Sequence, residues 1–96
     1  MSSKNNYVLQ CEEIVPGAFS GEESCQFRAY DRNSIVHAEL PAPSRYTNQE
    51  SKTVRVRVAG VQEDRVEVYF PIAGSGDFER ITVPSTSLVD LAQTTA

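Results

Sequence analysis

Thr53-Val54-Arg55-Val56-Arg57-Val58 alternates valine with arginine, and a period of two is the mark of a strand with one buried and one solvated face. Arg65-Val66-Glu67-Val68-Tyr69-Phe70 repeats the pattern a few residues later. Both runs are rich in β-branched and aromatic side chains, which fit a pleated surface. The intervening Ala59-Gly60-Val61-Gln62-Glu63-Asp64 is short enough to join them as an antiparallel hairpin. In that hairpin Arg55 or Arg57 is expected to stand opposite Glu67 on the outer face, where a cross-strand pair contributes about 0.2–1 kcal/mol.

Working outward, the same period recurs on both sides. Tyr7 to Ile14 reads as one strand stopped by Val15-Pro16-Gly17, and Ala18 to Ser24 as a loop. Cys25 to Tyr30 reads as the next strand, with Cys25, Phe27 and Ala29 inward. If these strands pair around Gly17–Phe19, Cys11 and Cys25 fall nearly opposite one another. Asp31-Arg32-Asn33-Ser34 is a turn of residues that hydrogen-bond their own backbone, and Ile35 to Leu40 is a third strand. Pro41-Ala42-Pro43-Ser44 is expected to end it, because proline lacks the ladder donor. Ser44 to Ser51 is the longest polar segment inside the domain and is read as a mobile loop. Pro71 to Asp77 is a glycine-containing loop and Phe78 to Val83 a strand. Pro84 to Leu88 is a single 3₁₀ or helical turn, and Val89 to Leu91 a short closing strand.

No segment has helical periodicity. The fold class expected is therefore all-β: a small antiparallel barrel of five or six strands. Closing the sheet on itself would remove exposed edges. An irregular loop, a tight hairpin, a strand, a proline-led single turn and a last short strand resemble the SH3-like arrangement. The OB-like barrel is the rival, but Ser44–Ser51 is too short and polar for the helix that barrel places between its third and fourth strands. The chain divides into a disordered polar lead over 1–6, one barrel domain over 7–91 and a fraying tail over 92–96.

Size and composition agree with this division. The chain has 96 residues, 40% hydrophobic and 23% charged, with four Phe, four Tyr and no Trp. That is an ordinary balance for one small globular domain, and too short of apolar runs for a membrane-spanning helix. The polar start, without a signal-peptide pattern, points to the cytoplasm, where Cys11 and Cys25 are expected to stay reduced.

Catalytic and metal chemistries find little footing. His37 is the sole histidine and sits mid-strand, while both cysteines face inward, so no nucleophile–base pair is expected. The two cysteines lack CxxC spacing, and adjacent carboxylates in Glu12-Glu13 and Glu22-Glu23 point to opposite faces of a strand. No loop carries the alternating oxygen ligands of a calcium site. Gly74-Ser75-Gly76 is followed by Asp77 and a strand rather than by a phosphate-binding helix. Neither enzyme activity, cofactor nor metal is expected.

Charge singles out one region. The net charge is −4, but residues 1–40 carry −3 (three basic, six acidic), 41–65 carry +2 (five basic, three acidic) and 66–96 carry −3 (one basic, four acidic). Arg45, Lys52, Arg55 and Arg57 with Tyr46, Tyr69 and Glu67 form the candidate contact surface, with Arg65 nearby. Arginine and tyrosine are enriched at protein interfaces. The expected function is thus a protein-binding or assembly module, through a heterologous partner or self-association. The alternative is a single-stranded nucleic-acid binder using the Arg55/Arg57 face, which an acidic chain disfavours.

Overall fold

The computed structural model describes residues 7–90. The described chain is all-β: β1 (Tyr7–Gln10), β2 (Glu13–Pro16), β3 (Glu22–Asp31), β4 (Ser34–Pro43), β5 (Thr47–Asn48), β6 (Thr53–Val61), β7 (Arg65–Pro71), β8 (Phe78–Pro84) and β9 (Leu88–Asp90). Single 3₁₀ turns at Ser44–Tyr46 and Ser85–Ser87 precede β5 and β9. The expected lead over 1–6 and tail over 92–96 lie outside the described residues.

The strands form two antiparallel sheets rather than the closed barrel expected. One runs β8-β7-β6-β1-β9, with β5 also on β6; the other runs β2-β3-β4. No strand pairing closes them into a cylinder among the described residues. One join between the sheets is the first strand itself, expected as one run and found as two. The Cys11 N–H donates to the Lys52 carbonyl at 2.8 Å, and the very next N–H, that of Glu12, donates to Gln26 in the other sheet at 2.7 Å. The chain exchanges partners within one residue and turns a corner. Periodicity reports which side of the chain is apolar, not which neighbour it pairs with, so this corner is invisible to it.

The period-two assignment of faces holds. Val54, Val56, Val66, Val68 and Phe70 from the large sheet are buried against Cys25, Phe27 and Ala29 of β3, with Leu9, Ile14 and Val83 completing the core. Phe27 and Phe70, one from each sheet, stack with centroids 5.4 Å apart. Cys11 and Cys25 are free, buried thiols in contact, although the β2–β3 register places Ile14 rather than Cys11 opposite Cys25.

Three further expectations are corrected. Pro41 does not end β4, which runs on to Pro43. β4 is the edge of its sheet, and the Pro41 carbonyl accepts from Ala73 N–H at 3.0 Å on the side away from β3. The missing proline donor therefore faces outward, where the β3 ladder does not need it. The Ser44–Ser51 segment carries regular structure where a loop was expected. It holds a 3₁₀ turn and β5, and the Asn48 side chain accepts from the N–H groups of Glu50 and Ser51 at 3.0 and 3.1 Å. Finally, the β6–β7 hairpin closes later than expected, with Gln62 N–H bonded to Arg65 O at 2.9 Å. A bulge between Val58 and Gly60 shifts the register again. Arg57 thus pairs with Tyr69, and Glu67 falls opposite Gly60.

The β3–β4 turn stores strain that can be tested. Arg32 adopts φ 61° in it, a left-handed conformation costing a non-glycine residue about 1–2 kcal/mol. Arg32→Gly is expected to raise the urea midpoint by an amount worth up to about 1 kcal/mol, part of the relief being offset by glycine's freedom in the unfolded chain. A lowered midpoint would show that the Arg32 side chain stabilises more than its backbone costs.

Candidate functional site

β6 presents Arg55 and Arg57 on the face opposite the core because Val54, Val56 and Val58 take the inward positions. The 3₁₀ turn after β4, followed by β5 pairing along Thr53–Val54, delivers Arg45 and Tyr46 to the same side. The Arg45 guanidinium lies 5.1 Å and that of Arg55 5.8 Å from the Tyr46 ring centroid. Phe78, at the start of β8, meets Tyr46 edge-on with centroids 6.1 Å apart and an interplanar angle of 78°. Cations over an aromatic face and an edge-to-face ring pair are both favourable placements. Tyr46, Arg55, Arg57 and Phe78 line one depression of about 340 Å³.

Farther along this face the cross-strand row is Arg57, Tyr69, Arg80, each paired with the next. Glu67 lies on the same side of β7 but is engaged elsewhere. Its carboxylate receives both Nη2 and Nε of Arg80, the latter at 3.2 Å. That hydrogen bond and the charge behind it push the Arg80 guanidinium further up from its ordinary pKa. Among the described residues Arg45, Arg55 and Arg57 make no ion pair at all. The acid expected to neutralise the row is thus committed to a different arginine.

The structure does not bring all the expected residues together. Arg45, Tyr46 and Arg55 meet directly, Arg57 shares their depression, and Tyr69 lies beside Arg57. Lys52 does not join them. Its backbone takes φ 59° and its ammonium reaches the Glu13 carboxylate at 3.4 Å. Arg65 also sits apart, its guanidinium 3.9 Å from the Tyr30 ring centroid and bonded to the Arg32 carbonyl at 3.1 Å. Phe78 is the contributor that the sequence reading missed. Its signal was present in the outward parity it shares with Arg80, but its closeness to Tyr46 depends on how the 3₁₀ turn packs.

Elsewhere the described surface offers little reactive chemistry. His37 is solvent-facing on the small sheet, with Nδ1 at 2.9 Å from a Glu12 carboxylate oxygen, and Arg28 approaches the other oxygen at 3.9 Å. Among the described residues no cluster of three His, Cys, Asp or Glu is placed to hold a metal ion, and no helix is long and apolar enough to cross a membrane. The chain matches no family model, no curated protein and no solved structure.

Proposed function

We propose that this chain is a non-enzymatic protein-binding module whose contact surface is the outer face of the β6–β7 hairpin, together with the Ser44–Ser51 segment. One observation carries the reading: two guanidiniums lie within 6 Å of the Tyr46 ring centroid, Phe78 meets that ring edge-on, and among the described residues the arginines around it have no acid of their own. Exposed cations and rings of this kind gain most when a partner covers and desolvates them. The return of β9, after a 3₁₀ turn, onto β1 supports the SH3-like arrangement over the OB-like one. Either way the working part is a surface on a rigid sheet, not a cleft with acid–base groups.

The test compares capture by the immobilised chain with capture by Arg55→Glu/Arg57→Glu. Arg28→Ala, on the small sheet, serves as the control. A partner retained by the wild type and the control, and lost by the double variant, is the expected result. Light scattering over a concentration series detects the case in which that partner is a second copy. Equal capture by all three chains, or turnover of a substrate by the purified protein, would overturn the reading.

A further inference from the structure

Arg55 and Arg57 occupy alternate positions of one extended strand, so they leave the same face about 6.6–6.8 Å apart along it. Carboxylates at alternate positions of an extended peptide have that same spacing, and a guanidinium fork accepts a carboxylate through two parallel hydrogen bonds. Both arginines open into the depression that Tyr46 and Phe78 also line. Phe78 is 41% exposed, leaving apolar ring surface beside the two charges. Arg45 carries the cationic lining onward into a second depression of about 390 Å³, where Phe19, 75% exposed, and Ile72 form part of the wall.

Resting on the contact surface proposed above, we infer that this depression takes an extended acidic peptide with carboxylates at alternate positions and an aromatic side chain beside them. Charge complementarity selects the acids. The three arginines are unpaired among the described residues, a local excess of positive charge on this face. The same count disfavours nucleic acid, whose affinity grows with each phosphate neutralised. Few cations gather here, Glu22 borders the second depression, and the exposed rings and Ile72 give that depression an apolar wall.

Fluorescence anisotropy with the full chain at low salt tests this, using a fluorescein-labelled synthetic peptide with the core Glu-Ser-Glu-Ser-Phe. Saturable binding is expected. It should weaken roughly tenfold or more when both glutamates become glutamine, or when the protein carries Arg55→Ala/Arg57→Ala, since charge-assisted hydrogen bonds are lost. Adjacent glutamates (Glu-Glu-Ser-Ser-Phe) and replacement of the phenylalanine by alanine should each weaken it severalfold. Arg55→Lys/Arg57→Lys keeps the charge without the fork and should retain only part of the affinity. Circular dichroism checks that each variant stays folded.

Absence of saturable binding, or equal binding of the glutamine peptide, would overturn the inference. So would tighter binding of an oligothymidylate of matching length, or a dimer that dissolves in Arg55→Ala/Arg57→Ala. In these last two cases the peptide chemistry fails while the contact surface stands. If neither probe binds and the arginine substitutions also leave partner capture unchanged, the contact surface fails too.

Discussion

Phe27→Ala and Phe70→Ala are each expected to cost about 3–5 kcal/mol of folding stability, the range for truncating a buried phenylalanine. Both rings are fully buried, and they stack on one another from opposite sheets. Because no ladder joins the two sheets among the described residues, their union rests on the chain corner at Cys11–Glu12, on isolated hydrogen bonds such as Ala73 N–H to the Pro41 carbonyl and Arg65 to the Arg32 carbonyl, and on side-chain packing between them. Removing either ring opens a cavity at that junction. A domain of this size has only about 5–15 kcal/mol in total, so either variant is expected to unfold at much lower urea, or to be largely unfolded without it. A double-mutant cycle should return a coupling of about 0.5–1.5 kcal/mol for the stacked pair. Phe78→Ala, at the exposed end of β8, should cost less than about 1 kcal/mol. A loss below about 1 kcal/mol at Phe27 would mean that the two sheets do not depend on this contact.

The contrast between these phenylalanines was largely readable in the chain. Alternation alone assigns Phe27 and Phe70 inward, with Val54, Val56 and Val68, and all of them are buried. What alternation does not carry is pairing. The division of the first strand between two sheets depends on which carbonyls await Cys11 and Glu12 from distant segments. The bulge near Gly60 displaces Glu67 by register, an event decided by one extra residue within β6. Pro41 misled for a related reason. Proline forbids only the ladder side of a strand, and an edge strand has a side to spare.

The candidate site divides along the same line. Arg55 and Arg57 were legible as outward residues because each lies between inward valines. That Tyr46 would reach them was less legible. It depends on a 3₁₀ turn and a two-residue strand, both inside a polar stretch that reads as loop. Lys52 failed through local backbone geometry, since its positive φ belongs to a turn that directs its ammonium toward Glu13. Sequence proximity grouped the cations, and turn geometry then separated Lys52 from the rest.

Stability is expected to fall with rising pH above about 9, and Cys11 should account for a measurable part of the slope. Inside the core the Cys11 thiol donates toward the Cys25 sulfur, and that contact, reinforced by burial, pushes the Cys11 pKa well above the ordinary value of 9.0 while holding that of Cys25 below it. In the folded chain Cys11 therefore stays protonated through the range in which the unfolded chain releases that proton. The unfolded state then binds fewer protons than the native one, so stability declines as pH rises. The contribution is fully present below pH 9 and is lost above it, at slightly more than about 1 kcal/mol per pH unit. Urea unfolding of the reduced protein at successive pH values from 8 to about 10.5 measures the slope. Cys11→Ala/Cys25→Ala, which removes both partners of that bond, should lower stability at pH 8 by leaving a cavity, yet show a flatter alkaline decline than the wild type. Identical slopes in the two proteins would mean that the thiol ionises in the native state as readily as in the unfolded chain, which its burial at the corner between the sheets argues against.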